Sequence, residues 1–269
     1  MKYMHLNSSC SYAGIANMLM LRGFDTEDYK IALDIDLPSH IRFDEEDGAF
    51  LSGFSLQTKK WFNFYLKPRG FEYIEESVSK SEIKEKLRPG MMLGLFVKPQ
   101  QKHAVICKEI TADKVIFINN KWEETDEPEE IYLNFDELTE RITEPFVLGY
   151  IIPHKKEIPE MKNEYSESIR TWECLRKALH SLISETRDET ELKEKMNPLF
   201  RALLLDGLTM AQLRNDDILQ QKLTILQRSF LDVLRQNKAS RLSEHIDAVL
   251  LDEAIDLIIE YAKFKMNEL

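Results

Sequence analysis

The sequence reads as α+β, with helices packed on a mostly antiparallel sheet, followed by an all-α helical bundle. Three observations predict it. Helical patterns come first and a set of β-rich runs follows, without the strict strand–helix alternation of a doubly wound sheet. Near residue 155 the chain changes character and becomes helical almost without interruption. Between the halves lies Pro153-His154-Lys155-Lys156-Glu157-Ile158-Pro159, whose two prolines and charge cluster predict a linker. The expected domains are therefore residues 1–153 and 160–269.

Each element has a local reason. Ala13, Ile15, Ala16, Met18, Leu19 and Met20 give residues 10–21 a wide apolar helical surface, with Ser8 or Ser9 as N-cap and Gly23 as C-cap. Thr26, followed by Glu27 and Asp28, opens a second helix through about Ile35, which Pro38 ends. Phe43 to Ser55 holds four carboxylates and two glycines and reads as a loop. A helix over Leu56–Leu66 is closed by Lys67-Pro68-Arg69-Gly70. Phe71–Ile74 reads as a short strand, and Ser81–Leu87 as a short helix stopped by Pro89-Gly90. Three β-like runs follow at Met91–Val97, His103–Ile110 and Lys114–Asn119, the last two joined by a turn at Thr111-Ala112-Asp113. Trp122–Glu130 is acidic but lacks the glycine and ligand spacing of a calcium loop, so a solvated loop is expected. Asn134 caps a helix through Ile142, and Phe146–Ile152 is a final strand.

The second half carries apolar stripes at helical spacing. They run through Ile169, Trp172, Leu175, Leu179, Leu182 and Ile183, through Ile218, Leu219, Leu223, Leu226, Phe230 and Leu234, and through Ile246, Val249, Leu250, Ile255, Ile258 and Ile259. Such stripes are bundle core. Pro198 starts or kinks a helix through Leu205, and Gly207 marks a break. This half is open to covering a cleft, binding a leader or acyl donor, or making a homodimer contact.

Composition narrows the function. A net charge of -11 and no Lys/Arg cluster with interleaved aromatics argue against a nucleic-acid binder. No apolar run approaches the roughly 20 residues of a membrane helix, and the N-terminus lacks a secretion signal. The 3 cysteines sit at no metal-ligand spacing and form no disulfide framework, so no metal and no cofactor are expected. A cytoplasmic protein with reduced thiols is the expectation.

Candidate chemistry gathers on three residues. Cys10 lies in the first turn of the first helix, where N–H groups without intrahelical partners and the helix dipole favour thiolate. His103 opens a strand at a loop junction, at the rim of a sheet. Asn119 closes the partner strand; His103 lies eight residues before the hairpin turn and Asn119 six after it, so they fall at the same open end of the ladder. Asn120 points to the other face. His5 sits on an extended lead-in that can reach the cleft. Taken singly, a buried small cysteine, a surface histidine and a turn-forming Asn pair are the bland alternatives. Cys107 is expected in the core, and His40, His154, His180 and His245 at the surface.

The order of Cys at a helix start, His opening a strand and Asn ending the next resembles the papain-like cysteine peptidase superfamily. The likeness is nearest to double-glycine leader peptidase domains of bacterial bacteriocin exporters, with a second likeness to butirosin-type acyltransferases. The matching stretches are Cys10-Ser-Tyr-Ala-Gly-Ile-Ala-Asn-Met-Leu, Met91-Met-Leu-Gly-Leu-Phe-Val, His103-Ala-Val-Ile-Cys, Lys114-Val-Ile-Phe-Ile-Asn119 and Asn134-Phe-Asp-Glu-Leu, within residues 1–152. The resemblance implies Cys10 as nucleophile, His103 as general base and acid, and Asn119 as the residue that orients the imidazole. It implies a thiol hydrolase or acyltransferase acting through an acyl-enzyme on a peptide or small amide or thioester. A carrier protein or peptide precursor would be the partner. The alternative is a catalytically inactive peptide-binding module on the same scaffold. Three departures stand out. Asn119-Asn120 replaces the usual Asp-Pro, Ser11 stands where Gly is usual, and no Gln precedes Cys10 to build the oxyanion hole. Asn7 or His5 is the substitute donor, beside the backbone N–H of Cys10, with Asn120 a weaker accessory.

Overall fold

The computed structural model describes residues 1–6, 8–45, 48–98, 101–142, 146–184, 200–236 and 239–269. The chain opens with helices α1 (Cys10–Met20) and α2 (Asp28–Asp34), a hairpin of β1 (Ile41–Asp44) and β2 (Ala49–Ser52), then α3 (Lys59–Leu66) and β3 (Phe71–Val78). Helix α4 (Ile83–Lys86) precedes β4 (Met92–Lys98), β5 (Gln101–Ile110), β6 (Val115–Asn119) and β7 (Glu130–Leu133). Helix α5 (Phe135–Glu140) precedes β8 (Phe146–Pro153). The remainder is α6 (Lys162–Ser184), a π-helical stretch Ala202–Gly207 running into α7 (Leu208–Leu213), α8 (Asp217–Gln236) and α9 (Ala248–Glu268). Among the described residues, no helix is long and apolar enough to cross a membrane.

The chain forms two compact units, one of Met1–Ile35 with Gln57–Pro159, the other of Asp36–Leu56 with Glu160–Leu269. The second unit thus takes residues 36–56 from the part of the chain that precedes the proline-flanked linker. That segment is a β-hairpin and not the expected loop, and its partners lie in α6. Arg42 donates to Glu164 Oε2 (2.5 Å) and to Ser168 Oγ (2.8 Å), and Trp172 Nε1 donates to the Ser39 carbonyl (3.0 Å). Asp44 closes β1 and Glu45 follows it, and the acidic character of this stretch masked two four-residue strands.

In the first unit, β3-β8-β4-β5-β6-β7 form one antiparallel sheet. The acidic stretch after Trp122 leads into β7, a strand the sequence pattern did not reveal. Leu93, Leu95, Val105, Cys107, Phe117 and Leu148 belong to a core that also takes Ile83, Leu87 and Leu138 from the α4 and α5 regions. Asn134 forms a full capping box with Glu137, which fixes the start of α5 as expected. Helix α1 lies close to the sheet at Gly14: a Cβ there would come within 2.5 Å of Met92 Sδ and 2.9 Å of Asn120 Nδ2.

Register decides which asparagine shares a face with His103. Val105 pairs with Asn119 and Cys107 with Phe117, but Glu109 pairs with Ile116. The extra residue is a β-bulge in β5. Without it, Asn120 would stand opposite Val105 and every β6 side chain beyond would change face. With it, Asn119 shares the face of Val105 and His103.

The second unit is held by a core of Trp172, Leu175, Leu179, Leu182, Leu223, Leu226, Ile255, Ile258 and Ile259, with Ile41 of the hairpin joining it. Three expectations fail here. Gly207 is no break: the helix passes through it by π-type bonding. Ile218 and Val249, assigned to the stripes, are exposed. His40, expected at the surface, is fully buried beside Ser168 (Nδ1 to Oγ 3.1 Å) and the Tyr165 ring. The expected Pro198 helix start lies outside the described residues.

Candidate functional site

Cys10 is the first residue of α1 and is partly exposed. The two residues before it set its position. Ser8 takes a left-handed backbone with φ 62°, uncommon for a residue with a Cβ. Ser9 occupies the N-cap position but makes no side-chain cap. Its hydroxyl donates to Asp28 Oδ2 (2.5 Å), a buried carboxylate at the start of α2 that also accepts the His5 N–H (2.8 Å). Asp28 therefore gathers the lead-in against α2 and delivers Cys10 to the mouth of a cleft.

That cleft is about 320 Å³. Cys10, Ser11 and Gln57 line one part of it, and Lys102, His103 and Ala104 another. Phe62, Tyr73, Met92, Leu93 and Val147 supply apolar wall, and Glu75 adds a carboxylate opposite in charge to Lys102. Tyr73 packs so tightly on Gly149 that a Cβ there would lie 1.8 Å from its hydroxyl, which explains why β8 carries glycine at that point. Burial holds the Tyr73 phenol well above its ordinary range.

The His103 imidazole has a defined orientation. Asn119 Nδ2 donates to the Pro128 carbonyl (3.1 Å) and to Glu127 Oε2 (3.4 Å), so its amide nitrogen faces two acceptors. Oδ1 is then the atom turned to the ring, 3.2 Å from His103 Nδ1. A carbonyl oxygen only accepts, so Nδ1 donates and carries the ring proton. Glu127 Oε2 lies 3.9 Å from the same Nδ1. Burial pushes the Glu127 carboxyl up, but the Lys98 ammonium (2.9 Å), His103 and the Asn119 amide together hold it below its ordinary range. Cys10 and His103 both line this cleft, and the imidazole Nδ1 bonds to Asn119.

The accessory residues fare differently. His5 does not line the cleft: its Nδ1 is 2.7 Å from Asp28 Oδ1 and its ring meets Tyr29 edge-on. Asn120 is buried; it donates to the Ala104 carbonyl (2.8 Å) and accepts from Asn17 (2.9 Å), tying α1 to the sheet. Asn7 lies outside the described residues. Cys107 is buried as expected, and that burial pushes its thiol up to about 12. Cys174 is exposed on α6. Among the described residues, no three His, Cys, Asp or Glu side chains gather as metal ligands.

Two site residues escaped the sequence reading. Gln57 follows Cys10 by 47 positions and yet lines the cleft beside it, hydrogen-bonded to Ser11 (2.7 Å) and to the Ser8 carbonyl. Glu127 sits in the acidic stretch read as solvated. For Gln57 no local pattern announces the contact. For Glu127 the signal is an acidic side chain in the short connection that leaves the strand of Asn119.

No protein-family model matches the chain, and no curated protein is similar to it in sequence. Two of the solved structures similar in shape are as follows. One is a double glycine motif protease from an AMS/PCAT transporter in complex with the leader peptide, at 11% identity and TM-score 0.39, covering 56% of this chain and 89% of that one. The other is the peptidase domain of Streptococcus ComA, a bi-functional ABC transporter, at 10% identity and TM-score 0.40, covering 57% and 97%.

Proposed function

We propose that the chain is a thiol hydrolase or acyltransferase that works through an acyl-enzyme on a peptide or small amide or thioester. The observation that carries this reading is a cleft lined by a helix-start cysteine and an imidazole whose tautomer is fixed by Asn119. With the proton on Nδ1, Nε2 is the basic nitrogen of the neutral ring. It takes the Cys10 thiol proton, and the sulfur attacks the substrate carbonyl carbon. The carbonyl π pair moves to oxygen. As the tetrahedral adduct collapses, the bond to the leaving group breaks and His103 returns the proton to it. Water, or an acceptor amine, then takes the acyl group by the reverse sequence. Glu127, 3.9 Å from Nδ1, favours the imidazolium that forms on the way.

The test is site-resolved labelling. In a Cys174→Ser background, iodoacetamide should modify Cys10 at neutral pH, and His103→Ala should slow that modification. His103→Ala should slow turnover of an acyl substrate by about 10²–10⁴-fold, the range for a general acid–base. Cys10 that stays unmodified across pH 6 to 9 would leave the peptide-binding module as the reading that survives.

A further inference from the structure

Gln57 supplies what the lead-in to Cys10 lacks. No Gln precedes Cys10, His5 is occupied by Asp28, and Asn120 is tied to Ala104 and Asn17. Among the described residues lining the cleft, Gln57 carries the sole carboxamide. Its orientation is determined. Nε2 donates to the Ser8 carbonyl, and an amide oxygen at that place would set two acceptors against each other. Oε1 accepts from the Ser11 hydroxyl at 2.7 Å. The amide thus bridges the residues on both sides of Cys10 and braces the left-handed turn at Ser8. A primary amide has two N–H groups. One is used on Ser8; the other belongs to a side chain that faces the cleft at the start of α1. The backbone N–H of Cys10, in the first turn, has no intrahelical acceptor.

We propose that the Gln57 side-chain N–H and the Cys10 backbone N–H form the oxyanion hole, so that the carboxamide enters the site from downstream of the nucleophile. This rests on the thiol-acylation reading above and goes beyond it by naming the donor. When the sulfur bonds to the carbonyl carbon, the displaced π pair resides on oxygen, and that oxygen is what the two N–H groups receive. Collapse restores the carbonyl and expels the leaving group with its bonding pair.

Two reagents separate the roles. p-Nitrophenyl acetate acylates a thiolate through a tetrahedral oxyanion and releases p-nitrophenolate. Iodoacetamide alkylates the same thiolate by direct displacement of iodide, with no oxyanion. Both rates are measured at Cys10 in full-length Cys174→Ser protein, with and without Gln57→Met. Gln57→Glu is a second variant in case the first fails to fold, and it is read as the ratio of the two rates. The expected result is a fall in acylation of about 10²–10³-fold with alkylation held within about threefold. Acylation that is unchanged overturns the assignment. Acylation and alkylation that fall together also overturn it, leaving Gln57 as a brace for the Cys10 loop. If neither reagent modifies Cys10 before any Gln57 change, the thiol reading itself falls and the oxyanion hole with it.

Discussion

Replacing Asp206 with Asn removes a carboxylate that the second unit holds away from water. Asp206 lies in the π-helical stretch, is 4% exposed, and accepts from Ser52 Oγ at 2.9 Å. Burial pushes its carboxyl from 3.8 to about 7, against the smaller opposing pull of the Ser52 bond and Arg201. Between those two values the unfolded chain has released its proton and the folded chain keeps it. Folding stability therefore declines as pH rises through that window. A displacement of about 3 pH units corresponds to a ceiling of about 4 kcal/mol at 1.36 kcal/mol per unit. The carboxamide keeps an acceptor for Ser52 and has no charge to bury. Relative to wild type, Asp206→Asn should thus gain stability steadily from pH 4 to pH 8, by up to that amount. Asp36, pushed up to about 6 chiefly by burial, adds a decline of the same sign in both proteins and cancels in the difference. Urea unfolding followed by circular dichroism at each pH gives that difference directly. A gap between variant and wild type that stays constant from pH 4 to pH 8 would show Asp206 ionised in the folded unit and refute the reasoning.

Other consequences follow from the same contacts. Gly14→Ala places a methyl against Met92 and Asn120 and should destabilise by about 1–3 kcal/mol, read from the urea midpoint. Trp172→Ala empties a fully buried site and breaks its bond to the Ser39 carbonyl; a loss of about 3–5 kcal/mol is expected in the same assay. Glu127→Gln removes a carboxylate held below its ordinary range. In wild type that group's contribution is present above pH 4.5 and disappears as pH falls through the lower folded value, so the variant's acid limb should be flatter. Asn119→Ala should slow Cys10 acylation while Asn119→Asp keeps an acceptor for Nδ1 and much of the rate; equal losses in both would deny Asn119 its orienting role.

Contacts close in sequence were the readable ones. Helix α1 follows from its apolar residues, the Asn134 cap from its Glu three positions on, and the 103–119 hairpin from two β-rich runs about a short turn. The choice of Asn119 over Asn120 came from alternation along a strand; the bulge in β5, which has no sequence signature, is what makes that choice hold across the ladder. Distant partnerships were not readable. Arg42 and His40 look like surface residues until α6, more than a hundred positions later, supplies Glu164 and Ser168. Gln57 looks like a polar residue before a helix until its amide meets Ser8 and Ser11.

The hairpin segment 36–56 has a kinetic consequence. The chain passes from one unit to the other at 35/36, at 56/57 and again at 159/160. On a ribosome, the hairpin emerges first, the strands of the sheet follow, and α6 and α9, which receive the hairpin, come last. The first unit can mature around an unsettled insert, and the second must wait for the last residues to be made. A nascent chain held with residue 160 just clear of the ribosome should expose Ile41 and Phe50 to holdase chaperones and proteases, whereas the sheet is already resistant.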